Sequence, residues 1–155
     1  MSKTVSIIAS TALVALLMVL ASGRPEFSIQ PLEAQGGGDP CRFAKQFTVV
    51  RQTGNTQLIT GSGSGTIFIC SILIVTASTQ NVGLVEGTGT TCATNPAGIM
   101  GGNTAALGLN LVANEGLAFG NGEGSITKTY TPGGNVCLLQ SGSGQISGVI
   151  GYVQP

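Results

Sequence analysis

The sequence predicts an all-β protein, namely an antiparallel β-sandwich of the jelly-roll type with roughly eight or nine short strands. From residue 47 onward, short segments rich in Val, Ile, Thr and Phe alternate with clusters of Gly, Asn, Ser and Pro. These turn signals recur about every 8–12 residues, which is typical of sandwiches and barrels. No segment after the N-terminal stretch shows the apolar periodicity of an amphipathic helix.

Strands are predicted wherever β-branched and apolar residues cluster between turn signals. The continuously apolar, β-branched segment 66–76 is expected to form a central strand that is buried on both faces. We expect segment 81–86 to pair with it as a hairpin and 87–96 to form a loop. In the last segment, Ile146, Tyr152 and either Val149 or Ile150 are expected to point inward. The predicted strands are 47–51, 56–60, 66–76, 81–86, 105–112, 116–119, 125–130, 136–140 and 145–154.

The first 23 residues have the layout of a secretory signal, because Lys3 precedes a short apolar stretch at 5–21. Small residues before and at Gly23 suit cleavage after that residue, and Ala34 offers a second site. The alternatives are a retained membrane anchor or a hydrophobic helix used in assembly. Residues 24–40 are rich in Pro and Gly and are predicted to be a linker, and 41–155 to be the β-sandwich domain. We therefore expect a secreted, extracellular or virion-surface protein that contacts a membrane only if residues 1–23 are retained.

The four cysteines, Cys41, Cys70, Cys92 and Cys137, predict two disulfides, because an even number follows an export signal. No zinc site is predicted, since the chain has no His and no CxxC spacing. Among the possible connectivities we favour Cys41–Cys70, which ties the start of the domain to the central strand. Its counterpart, Cys92–Cys137, pins the 87–96 loop to a late strand. The alternative is four buried free thiols.

The composition is nearly free of charge. The chain has 155 residues, with six Lys and Arg, six Asp and Glu, and charged residues at 8% of the total, against about 25% in ordinary domains. Most of these charges lie in the first third of the chain. Zero net charge argues against nucleic-acid binding, which needs a basic surface that displaces counterions.

The sequence predicts no enzyme, cofactor or metal site. Without His, the usual nucleophile–base triad cannot be built. Ser125 and Lys128 would lie on opposite faces of a strand, and Glu115 and Glu123 are interpreted as solvated loop acids. The segment 120–124 lacks the several acidic ligands that a calcium loop needs.

Three blocks of the domain resemble a known group of proteins: 69–76 (ICSILIVT), 81–92 (NVGLVEGTGTTC) and 136–154 (VCLLQSGSGQISGVIGYVQ). In this order they are similar to small, cysteine-containing, jelly-roll-like hypothetical proteins of tailed phages, prophages and environmental sequences. The resemblance covers roughly residues 41–154. It implies a virion or surface component without assigned catalysis, although the signal-like N-terminus departs from what a capsid-surface protein assembled in the cytoplasm requires.

Together these features predict a non-enzymatic structural or decoration protein of an extracellular assembly, either a virion or a cell surface. Its neutral sandwich surfaces would pack against each other, giving a homo-oligomer such as a trimer, and against a capsid or surface-layer protein. The alternative is a secreted lectin-like module that binds surface glycan. That alternative needs exposed aromatic rings, and Phe119, Tyr130 and Tyr152 are predicted to belong to the core instead.

Overall fold

The structure is a computed structural model that describes residues 38–43 and 45–155. These residues form two short 3-10 helices, Pro40–Arg42 and Ala105–Leu107, and ten strands, one or two more than predicted. The strands are β1 (Gln46–Gln52), β2 (Thr56–Ile59), β3 (Phe68–Thr76), β4 (Gln80–Thr88), β5 (Thr94–Met100), β6 (Leu109–Leu111), β7 (Gly116–Phe119), β8 (Thr127–Lys128), β9 (Asn135–Gln140) and β10 (Ile146–Val153).

The strands form two antiparallel sheets that pack face to face as a sandwich. Sheet A has the order β1-β10-β3-β7, and β8 pairs with the same side of β3 as a short continuation. Sheet B has the order β2-β9-β4-β5, and β6 pairs with the same side of β4 as β5 does. The chain crosses between the sheets six times, at the connections β1–β2, β2–β3, β3–β4, β6–β7, β8–β9 and β9–β10. The central strands β3 and β4 therefore occupy equivalent positions in opposite sheets.

The main core lies between the sheets and consists of aliphatic side chains. Strand alternation sends every second residue inward, and β-branched residues suit this packed, pleated surface. The buried set includes Val50, Ile59, Ile67, Ile69, Ile72, Ile74, Val82, Leu84, Leu111, Val136, Leu138, Ile146 and Ile150. Tyr152 packs against this cluster, and Val149 is half-buried.

Sheet B also buries its outer face. Val85, Cys137 and Leu139 are covered there by Cys92 from the β4–β5 loop and by Ala105 from the second 3-10 helix. A disulfide joins Cys92 to Cys137, with Cα atoms 5.9 Å apart. As a result β4 is buried on both faces over most of its length.

A second disulfide, between Cys41 and Cys70, ties the first 3-10 helix to β3, with Cα atoms 5.5 Å apart. Both bridges are the pairs that the sequence analysis favours. The carboxylate of Asp39 caps the same helix by accepting the backbone N–H of Cys41 at 2.9 Å. Asp39 also accepts the backbone N–H and the hydroxyl of Ser125, at 2.7 and 2.8 Å. These contacts fix the start of the domain to the β7–β8 loop.

Four expectations about the strands are wrong in detail. The outward side chains of β3 are exposed, with Leu73 at 51% and Val75 at 43%, so this central strand is buried on one face only. Segment 81–86 does not pair with β3, because the chain crosses to the other sheet. The predicted loop 87–96 contains the end of β4 and the start of β5, and segment 105–112 divides into a 3-10 helix and the short β6.

The predicted N-terminal helix at 1–23 lies outside the described residues, as do residues 24–37 of the predicted linker. Among the helices that the structure describes, none has the length and apolar character needed to cross a bilayer.

Candidate functional site

The outer face of sheet A carries an apolar row that runs straight across four strands. The strand registers place Val49 of β1 beside Val149 of β10, Val149 beside Leu73 of β3, and Leu73 beside Ala118 of β7. Val49 is 73% exposed and Leu73 is 51% exposed. Ala118 is also exposed, and Val149 is half-buried between its neighbours. The row is therefore a solvent-facing hydrophobic stripe that crosses sheet A from β1 to β7.

Two further rows flank this stripe and keep the face almost neutral. On one side Arg51, Ser147, Val75 and Gly116 face each other across the same four strands. Val75 is 43% exposed and adds to the apolar surface. Arg51, at the outer end of its row, is the one charged side chain in the three rows.

The third row contains Phe47, Gly151 and Ser71. Phe47 is 65% exposed, and its ring lies over the glycine. A Cβ atom added at Gly151 would sit 3.0 Å from Cε1 of the ring and 2.6 Å from the Ser71 hydroxyl oxygen. The missing side chain at Gly151 therefore makes the niche in which the aromatic ring rests.

We call the apolar residues with accessible side chains in these rows the sheet A patch; they are Phe47, Val49, Leu73, Val75, Ala118 and the half-buried Val149. Within the described residues, the centre of the outer face of sheet B has no equivalent patch. The β4–β5 loop and the second 3-10 helix cover that face. Contiguous exposed apolar surface of this kind marks interaction sites on soluble proteins. Its chemistry is suited to burying a neighbouring surface, because it offers little charge that must be desolvated.

An apolar cleft opens between the sheets at the edge formed by β5, β7 and β8. Its volume is about 220 Å³, and its lining comprises Ile72, Ile99, Met100, Phe119, Ile126 and Thr127. The only polar side chain in this lining is the hydroxyl of Thr127. The cleft lining thus provides apolar contact and one hydrogen-bonding group, but no acid or base.

The side chains considered for catalysis do not form a reactive cluster. The Ser125 hydroxyl donates to Asp39, and Lys128 is exposed on β8. Hydrogen bonds from the backbone N–H groups of Ser125 and then Cys41 lower the pKa of the Asp39 carboxyl, and the nearby Arg42 adds to the effect. Within the described residues, no group of three or more His, Cys, Asp or Glu side chains is placed to hold a metal ion.

The two acids Glu115 and Glu123 are both exposed, in agreement with their interpretation as solvated loop residues. The carboxylate of Glu115 accepts the backbone N–H of Val112 at 2.9 Å and so closes its own turn. The backbone N–H of Glu123 donates to the Asn121 side chain at 3.0 Å. Both residues therefore have local roles in loop structure.

Glu86 is the acidic residue whose position the sequence analysis missed. It is 2% exposed on β4, and its carboxylate accepts the backbone N–H groups of Tyr130 and Thr131. The Thr131 hydroxyl donates to the same carboxylate at 2.9 Å. Residues 82 and 84 are apolar and point inward, and residue 86 is the next position in this period of two. The spacing is the sequence signal that Glu86 also points inward. Glu86 thereby holds the loop that precedes β9.

Two aromatic rings are more exposed than predicted. Tyr130 is 69% exposed on the loop held by Glu86, and Phe119 is 47% exposed at the mouth of the cleft. Tyr130 lies in a loop, where strand alternation does not apply. Phe119 is the last residue of β7 and lies beside the buried Ile72 on the inward face, but the open edge of the sandwich leaves its ring exposed. Only Tyr152 of the three predicted core aromatics packs against the main core.

No protein-family model, curated protein or solved structure matches this chain.

Proposed function

We propose that the protein is a non-enzymatic structural component of an extracellular assembly, which uses the sheet A patch to pack against copies of itself. The observation that carries this proposal is the uncovered row Val49, Val149, Leu73 and Ala118. The chain covers the centre of the outer face of sheet B with its own loop and helix. The corresponding apolar surface on sheet A is not covered by any of the residues that the structure describes.

The physical basis is burial of apolar area between nearly neutral surfaces. Removing apolar surface from water contributes about 25 cal/mol per Å², and Arg51 is the one charged side chain within the three rows that a neighbour would cover. Among the described residues, Arg42, Glu115, Glu123 and Lys128 are exposed outside these rows, so an association through the rows avoids the cost of desolvating these charges. A homo-oligomer, alone or attached to a capsid or surface-layer protein, fits this surface.

We infer further that the sandwich is a jelly roll. Support comes from the strand orders β1-β10-β3-β7 and β2-β9-β4-β5, in which each of the first three positions is filled in the two sheets by strands that are consecutive in the chain. This arrangement is the interleaved order expected of two Greek keys. Jelly rolls occur in viral capsid proteins and in lectins, which agrees with both functions considered for this chain.

The proposed location is the secreted, extracellular or virion-surface environment. The two disulfides are compatible with an oxidising compartment, since such bridges rarely persist in a reducing cytosol. The signal-like segment at 1–23 supports the same location.

The assembly proposal is tested by placing a charge in the middle of the patch. We expect Leu73→Lys to weaken self-association at least about tenfold, because a lysine must be desolvated when the patch is covered. Leu107→Lys is the matched control, since Leu107 is 62% exposed on the second 3-10 helix. Sedimentation velocity over a wide concentration range measures the association. A wild-type protein that stays monomeric at every concentration contradicts the proposal.

A second candidate function is recognition of surface glycan through Tyr130. This ring is 69% exposed, and its backbone N–H is fixed by the buried Glu86 carboxylate, so it is presented in a defined position. Exposed aromatic faces of this kind suit stacking against apolar sugar faces. We expect Tyr130→Ala to abolish any binding seen on a glycan array, with Phe43→Ala, which removes an equally exposed ring elsewhere, as the control. An array without wild-type hits excludes this function.

A further inference from the structure

The structure has one edge strand that is both long and regular, and it borders the sheet A patch. β1 pairs with β10 through seven consecutive residues, Gln46–Gln52, without a register shift. It contains no proline. On its other side, no backbone group of β1 is hydrogen-bonded to another main chain among the residues that the structure describes. A free edge of this kind is a template for pairing with another strand.

The other edge strands carry the features that discourage such pairing. β5 contains Pro96 and pairs with β4 through two register shifts. β2 has four residues and also a register shift. β6, β7 and β8 have three, four and two residues. Short, irregular and proline-bearing edges are the usual protection against edge-to-edge association, and β1 lacks all three.

The side chains of β1 are complementary to themselves in one antiparallel register. Phe47, Val49 and Arg51 alternate on the outward face of the strand, and all three are exposed. If two copies pair about a two-fold axis at Val49, residue 47 of each copy lies opposite residue 51 of the other. Phe47 then faces the partner's Arg51, and the two valines meet at the centre.

This register brings together an aromatic face and a cation, which attract each other within about 6 Å. Directly opposite side chains in an antiparallel pair have Cβ atoms about 4.5–5.5 Å apart, so the contact is within reach. The other nearby cation, Lys45, would face Thr53 of the second copy, and no like charges oppose each other. A two-fold axis makes the same contact twice, as an isologous interface requires.

We propose that two copies of this chain associate through antiparallel pairing of their β1 edges, centred on Val49, which joins their A sheets into one continuous sheet. This inference deepens the proposed assembly function, on which it rests, by naming the edge and the register. The pairing satisfies the free backbone groups of β1 and makes the two sheet A patches continuous. The combined apolar surface is then twice as wide and remains available for a further neighbour.

Introducing a negative or a positive charge at residue 47 tests the register. In the proposed dimer, Phe47→Glu places a carboxylate opposite the partner's Arg51, whereas Phe47→Lys places a second cation there. We expect Phe47→Glu to keep the dimerisation constant within about threefold of wild type, and Phe47→Lys to weaken it at least about tenfold. Within one chain, residues 47 and 51 are about 13 Å apart along the strand, so these effects do not arise inside the monomer. Sedimentation equilibrium at low salt measures both constants.

The double variant Phe47→Lys with Arg51→Glu provides the rescue, because it restores opposite charges across the axis. We expect it to recover dimerisation to within about threefold of Phe47→Glu. Circular dichroism and a mass that shows intact disulfides establish that each variant is folded. If the double variant fails this check, separately folded Phe47→Lys and Arg51→Glu chains are mixed instead, and they should form the heterodimer.

The outcomes separate this inference from the function on which it rests. If Phe47→Glu and Phe47→Lys weaken association equally while Leu73→Lys also weakens it, the copies stack through the patch and the β1 register is wrong. If neither Phe47 variant nor the double variant changes the association, the edge is not used and the inference is overturned. If the wild-type protein is monomeric throughout, both the inference and the assembly proposal fail.

Discussion

Removing both disulfides is expected to unfold this domain. The bridges close separate segments, with sequence separations of 29 residues for Cys41–Cys70 and 45 residues for Cys92–Cys137. The loop-entropy relation assigns them about 3.6 and about 4.0 kcal/mol, which together approach 8 kcal/mol. That sum is comparable with the whole stability of a typical domain, about 5–15 kcal/mol. The four half-cystines are 0–1% exposed, so replacing them by alanine also leaves small voids in packed regions.

The measurement is urea unfolding of the paired variants, followed by circular dichroism. We expect Cys92→Ala with Cys137→Ala to lower the free energy of unfolding by about 4 kcal/mol, with slightly less lost for the Cys41 and Cys70 pair. The variant lacking all four cysteines should show no cooperative transition. A quadruple variant that unfolds cooperatively within about 2 kcal/mol of wild type would mean that the bridges contribute little beyond the sandwich core.

Replacing Glu86 is expected to give the largest loss from a single polar side chain. Glu86→Ala removes the carboxylate that accepts the backbone N–H groups of Tyr130 and Thr131 and the Thr131 hydroxyl. The loss of these charge-assisted hydrogen bonds, together with the cavity at a 2% exposed position, should cost about 2–4 kcal/mol. Partial access of water to the exposed residues Tyr130 and Thr131 keeps the loss from being larger.

The expected loss from Glu86→Ala is checked by chemical denaturation beside two companion variants. Glu86→Gln retains one acceptor oxygen but turns its NH₂ group toward backbone donors, so we expect an intermediate loss. Glu123→Ala, at an exposed loop position, should leave the unfolding midpoint unchanged. Equal stability of Glu86→Ala and Glu123→Ala would show that the loop holds its place without the carboxylate.

The pattern of β-branched residues and turn signals was enough to predict the sandwich and most of its strands. β5 was missed because Asn95, Pro96 and Gly98 are turn-forming residues. Proline is tolerated there since β5 lies at the edge of sheet B, where one row of backbone donors needs no partner. The local sequence does not show which strand lies at an edge. A strand that contains proline therefore cannot be predicted at this position from the sequence.

The patch was hidden for a related reason. Leu73 and Val75 lie in a continuous apolar run, and such a run reads as a strand buried on both faces. Which face is covered depends on where the rest of the chain goes. Here the β4–β5 loop, with Cys92, covers sheet B and not sheet A. The strand buried on both faces is therefore β4, whose glycines and Glu86 disguise it in the sequence.

The positions of β9 and β10 have a consequence for how this chain can fold as it is made. β10 lies between β1 and β3, and β9 lies between β2 and β4, so the last two strands of the domain each supply an inner strand of one sheet. Neither sheet can close until β9 and β10 have been synthesised and are free to insert between their neighbours. Long-range pairing of this kind slows folding, because distant segments must meet before their contacts stabilise them. The β domain should therefore reach its native state only after release of its last strand, and pairing with a neighbour has to wait until then.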